Sequence, residues 1–108
     1  MLRIACYAGE TWRTEFYDAD GDIDMTTFSY IGSLGQQDVA KINIVFNNIP
    51  NTTHVELVIE GSQTAALSAG TYYGEVFQVS DNEKYCLTEV TLSLMNPITT
   101  LHNNAVGV

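Results

Sequence analysis

Thr64-Ala65-Ala66-Leu67-Ser68-Ala69-Gly70-Thr71-Tyr72-Tyr73 changes structural period at its middle, and that change decides the fold. The first four residues favour one turn of helix, with Ser62 placed to cap it, so a short helical turn is expected near residues 62–68. Gly70 ends the turn, and Thr71 to Val79 continue in β-branched and aromatic residues that read as a strand. A helical turn that drops into a Gly-x-Tyr strand can carry a chain from one sheet of a β-sandwich to the other. Gly70 and Tyr72 are therefore the expected structural corner, the Tyr72 hydroxyl being able to tie it back to nearby backbone.

Outward from this corner the chain reads as strands. Strand-patterned runs cover Arg3–Tyr7, Thr11–Tyr17, Thr26–Ser33, Val39–Phe46, His54–Glu60, Thr71–Ser80, Lys84–Thr88 and Val90–Met95. Turn chemistry punctuates them at Asp20-Gly21, Gly32 to Gly35, Asn47 to Asn51 around Pro50, and Asp81-Asn82. Spacing of about 8 to 15 residues with that punctuation predicts an all-β protein, an antiparallel sandwich of about seven to eight strands, rather than βαβ units. Alternation assigns the core to Trp12, Phe16, Phe28, Tyr30, Ile42, Ile44, Phe46, Val55, Leu57, Ile59, Leu67, Tyr72, Val76, Val90, Leu92 and Leu94. Two places break it. Both parities of Tyr72 to Val79 contain polar residues, which predicts a bulge near Gly74 that turns Phe77 and Val79 inward. Leu87 and Val90 are out of phase, which predicts a bulge or break at Thr88-Glu89.

A second signature lies upstream. Gly9-Glu10-Thr11 opens the run Trp12 to Tyr17, followed by Asp18-Ala19-Asp20-Gly21-Asp22 and then Ile23-Asp24-Met25-Thr26. Taken in order with Thr64 to Tyr72, these segments resemble the small immunoglobulin-like domains of tailed-bacteriophage virion proteins, of the baseplate upper protein and tail-fibre N-terminal type. The resemblance covers roughly residues 9 to 95. It differs from the usual pattern at Thr27 and near Glu89, where a glycine is common. It implies an immunoglobulin-like sandwich whose corner tyrosine is hydrogen-bonded to upstream backbone. It also implies a virion setting and no catalytic residues.

At 108 residues the chain is one domain, able to bury roughly 65% of its unfolded surface. The sandwich is expected over residues 1–96 and a C-terminal arm over 97–108. Asn96-Pro97 ends the last strand, and the arm carries no charged side chain apart from His102, so Ile98, Leu101, Val106 and Val108 are candidate subunit contacts. No stretch approaches the ~20 apolar residues of a membrane span, and the N-terminus lacks a signal-peptide pattern, so Met1 reads as the true start of a protein folded in a cytoplasm, which the resemblance implies is that of a bacterial host. Thirteen acidic against four basic residues give a net charge of −9, a field that repels phosphate and argues against nucleic acid as partner. Cys6 and Cys86 sit inside strand-patterned runs and read as small buried apolar residues rather than a disulfide framework.

Asp18, Asp20, Asp22 and Asp24 alternate through a glycine turn and are the one metal-like constellation. The helix-loop-helix calcium motif is excluded: Gly21 is fourth from Asp18 instead of sixth, and Ser29 stands where a bidentate Glu is needed. The expected role is a structural turn, with a cation site the lesser alternative. His54 and His102 lie in no motif with a nucleophile, and the two His and two Cys lack paired zinc spacing. Gly32 to Gly35 is followed by no Lys-Ser/Thr and is not a phosphate loop. Nothing in the chain implies a cofactor or an enzyme. The expectation is a non-enzymatic structural protein of a tailed-phage virion, in the tail, baseplate or fibre-attachment region or as a capsid decoration. Its partners would be other virion proteins and further copies of itself. The alternative is a carbohydrate-binding module that stacks host glycans on a platform drawn from Trp12, Tyr17, Tyr30, Tyr72, Tyr73 and Tyr85.

Overall fold

In the computed structural model, which describes residues 1–96, the alternating runs form eight strands in two facing sheets. The strands are β1 (Leu2–Tyr7), β2 (Trp12–Phe16), β3 (Ser29–Gln36), β4 (Val39–Asn43), β5 (Val45–Asn48), β6 (Val55–Ile59), β7 (Gly70–Ser80) and β8 (Glu83–Met95). The larger sheet has the order β1-β8-β7-β3-β4 and the smaller β2-β6-β5. The β8-β7-β3-β4 part of the larger sheet and β2-β6-β5 follow the G-F-C-C′ and B-E-D orders of an immunoglobulin-like sandwich, with β1 added at the edge beside β8. One ladder is not antiparallel: β1 runs parallel to β8, from Leu2 opposite Val90 to Tyr7 opposite Met95. β1 and β2 lie in different sheets, so the link between them crosses the sandwich and does not close a hairpin. The expected C-terminal arm, with Ile98, Leu101, Val106, Val108 and His102, lies outside the described residues.

The core is the row of inward side chains from both sheets. Ile4 and Cys6 of β1, Leu34 of β3, Ile42, Leu57 and Ile59, Tyr72 and Val76, and Val90, Leu92 and Leu94 are all buried. Trp12, Phe16, Phe46 and Leu67 pack against this cluster while remaining partly exposed. Phe16 meets Tyr30 edge-on at 5.0 Å between ring centroids, and Phe46 at 6.3 Å, joining the sheets through aromatic contacts. Gly32 faces this group, where a Cβ would lie 3.1 Å from Ile44 Cδ1.

Several boundaries differ from the sequence reading. Gly32 and Gly35 lie inside β3, and the turn falls at Gln37-Asp38, both with positive φ (52° and 63°), the pattern of a two-residue hairpin turn. Gly35 serves close approach instead, since a Cβ there would overlap the Val39 carbonyl. The expected single strand Val39–Phe46 divides at Ile44, where the chain passes from the larger sheet to the smaller. The bulge expected near Gly74 is elsewhere. β7 keeps an unbroken register with β3, and the extra residue is Leu87 on β8, opposite the Val76–Phe77 step. Phe77 therefore stays on the outer face, with Lys84 Nζ 4.2 Å from its ring centroid.

Candidate functional site

The corner is built from the helical turn α1 (Gly61–Thr64), which begins at Glu60 without a side-chain cap; Ser62 lies within it and does not cap it. Gly61 heads the turn because a Cβ there would overlap the Gly9 carbonyl oxygen. Thr64 is fully buried; its hydroxyl accepts from Gly9 N at 3.0 Å and donates to Gly61 O at 3.2 Å. Thr11 Oγ1 accepts from Gly61 N at 3.0 Å. The link between β1 and β2 is thus fastened to the link between β6 and β7. Gly70 has φ +154°, and the buried Tyr72 donates its hydroxyl to the Ser68 carbonyl at 2.7 Å. That bond sits where a tyrosine corner places it.

Two exposed surfaces are shaped by this frame. The outer face of β4, β3 and β7 carries an open groove of about 640 Å³. Ile31, Val39, Tyr73 and Phe77 supply its apolar surface, and Asp38, Asn43, Glu75 and Lys84 its polar groups. Among the apolar side chains Tyr73 is the most open, with 63% of its surface exposed. Tyr72 and Tyr73 therefore have opposite duties: one locks the corner, the other faces solvent.

The second surface is at the end of the sandwich beside the acidic turn. Tyr17, Ile23 and Leu87, exposed by 54, 49 and 41%, share with Met25, Phe28 and Gln78 a hollow of about 340 Å³. The acidic turn frames it. Asp18 accepts through its carboxylate from the amides of Asp22 and Ile23, each at 3.0 Å, and Gly21 takes φ +76°. Asp24 caps a single 3-10 turn, Met25–Thr27, accepting from Thr26 N at 3.0 Å and Thr26 Oγ1 at 2.6 Å. The Thr26 hydroxyl first, and its amide second, hold the Asp24 carboxyl below its ordinary pKa. Two of the four carboxylates are thus engaged within the turn itself. Among the described residues no three His, Cys, Asp or Glu side chains gather as a metal-binding group.

The cysteines are placed differently from each other. Cys6 is buried on β1 opposite Leu94, whereas Cys86 is exposed on β8 opposite Phe77, correcting the expectation that both are buried. The first and last strands do pair, yet Leu94 and Cys86 stand about 25 Å apart along β8 at ~3.3 Å per residue. Local desolvation first, then the hydrogen bond to Glu75 and the charges of Glu75 and Glu89, push the Cys86 thiol above its ordinary pKa. His54 lies at the rim, its Nδ1 3.0 Å from Glu15 Oε1 and its ring stacked on Tyr17 at 4.3 Å. Among the described residues neither cysteine nor any serine is a side-chain partner of His54.

Compared with models of protein families and with curated proteins, the chain matches none.

Proposed function

We propose that this chain is a non-enzymatic structural protein of a tailed-phage virion, assembled through subunit contacts in the tail, baseplate or fibre-attachment region or as a capsid decoration. The observation that carries this reading is the exposed hollow formed by Tyr17, Ile23 and Leu87 at one end of the sandwich. Large apolar side chains gathered around one hollow suit a protein–protein contact. Asp18 lines the hollow and belongs to the acidic turn Asp18 to Asp24, which fits a partner with basic residues at its edge. Repetition around a virion symmetry axis would turn many such modest contacts into a stable assembly. The ordered resemblance of residues 9 to 95 to phage immunoglobulin-like domains supplies the setting. Replacing Tyr17, Ile23 and Leu87 together by serine is expected to leave the chain folded and to remove it from purified virions. Incorporation of that variant at wild-type stoichiometry would refute the contact, and failure of antibody labelling to find the wild-type chain on virions would refute the setting.

A second reading, a carbohydrate-binding module, is favoured by Tyr73, which stands open beside Asn43 and Glu75 in the groove. A glycan array probed with the wild-type chain and with Tyr73→Ala decides it: binding lost in the variant supports a sugar site, and an empty array ends the reading. Trp12 is half-buried on the inner side of β2, so its fluorescence is a poor reporter for that test.

A further inference from the structure

A sheet edge presents unpaired N–H and C=O groups, and proteins blunt it with bulges, charged side chains, proline or short length. Three edges here are blunted. β4 carries the extra residue Lys41 and then leaves the sheet at Ile44. β2 and β5 are only five and four residues long. β1 is the least blunted: six residues keep continuous register with β8 without bulge or proline, and Arg3 is its one charged side chain. Among the described residues its outer edge pairs with no strand.

We propose that β1 pairs antiparallel with β1 of a second copy about a two-fold axis, joining two five-stranded sheets into one. The side chains select this occupant. Ile4 and Cys6 face the core while Arg3 and Ala5 face out, so an antiparallel partner must set inward residues opposite inward ones. An axis through Ala5 does so. Ala5 then meets the partner's Ala5, leaving room at the axis, and Ile4 meets the partner's Cys6, which extends the inner row. Arg3, the one charged residue of β1, lies opposite the partner's Tyr7, where a cation can rest on an aromatic face. No like charges are opposed, and β1 holds none of the thirteen acidic residues of a chain whose net charge of −9 otherwise resists self-association.

The inference rests on the assembly reading for its biological use, but its test needs only the purified chain. Sedimentation equilibrium at high salt, which screens the mutual repulsion, is expected to show a dimer whose fraction rises with concentration. Compared with wild type at about 0.15 M salt, where charges a few ångströms apart still interact, Ala5→Lys opposes two charges at the axis and should weaken the dimer by about two- to fivefold without altering the circular dichroism spectrum. In a Cys86→Ser chain, Ala5→Cys should form a disulfide-linked dimer under copper-phenanthroline oxidation, because directly opposed residues have Cα atoms ~4.5–5.5 Å apart. Tyr73→Cys in the same chain, two strands inward, should not. A chain that is monomeric throughout, or a dimer that Ala5→Lys leaves intact and Ala5→Cys fails to cross-link, overturns the proposal. The virion reading would stand in either case. Should Ala5→Lys fail to fold, the cross-linking pair decides alone.

Discussion

A single hydroxyl fastens the corner. Tyr72 is buried and its hydroxyl bond to Ser68 is shielded, so Tyr72→Phe is expected to lower unfolding free energy by roughly 1 kcal/mol in a urea titration. Gly74→Ala should do far more, because a Cβ there overlaps the Ser33 carbonyl oxygen and β3 and β7 would have to separate. That variant is expected to be insoluble or unfolded; a soluble chain with native melting temperature would mean that β7 sits further from β3. Asp24 gives a pH dependence of known sign. Its folded pKa is depressed by Thr26, so its contribution is present above the ordinary carboxylate range near ~3.9 and is lost as pH falls through the lower folded value. The Thr26 amide resonance should therefore titrate with a midpoint below that of an ordinary aspartate, and Asp24→Asn should abolish the transition.

At the scale of the element, alternation made the strands legible and hid where they bend. Ile42, Ile44 and Phe46 alternate without a fault, because a strand that passes from one sheet to the other keeps every second side chain pointed into the same core. No break in pattern marks the passage. Leu87 did announce itself as out of phase with Val90, and the bulge lies there, one residue before the expected place. Glycine misled: Gly32 and Gly35 look like a turn, yet they make room for Ile44 and for the Val39 backbone, while Gln37 and Asp38 form the turn with positive φ. This suggests a repair. Asn-Gly is the favoured pair for such a turn, so Gln37→Asn with Asp38→Gly is expected to raise stability by about 0.5–1 kcal/mol, read as a higher denaturation midpoint at unchanged slope. The candidate surfaces were less legible than the strands. Tyr72 and Tyr73 are adjacent and chemically alike, and only the fixed corner tells which of them faces solvent. The hollow at the other end brings Leu87 of β8 against Tyr17 and Ile23, which flank the acidic turn, a convergence that no local pattern encodes.

For the whole molecule, the sandwich class followed from strand length and spacing, whereas the pairing of β1 with β8 did not, since their side-chain patterns suit either direction. That parallel ladder has a mechanical meaning. Tension applied between Leu2 and Met95 pulls β1 and β8 in opposite senses along their common direction, so the force acts in shear. The hydrogen bonds from Leu2–Val90 to Tyr7–Met95 then carry the load together. In a terminal hairpin pulled at its open end they would give way one after another. The first and last strands thus act as a clasp, and a chain strung between two anchors would resist stretching most strongly along the line joining them.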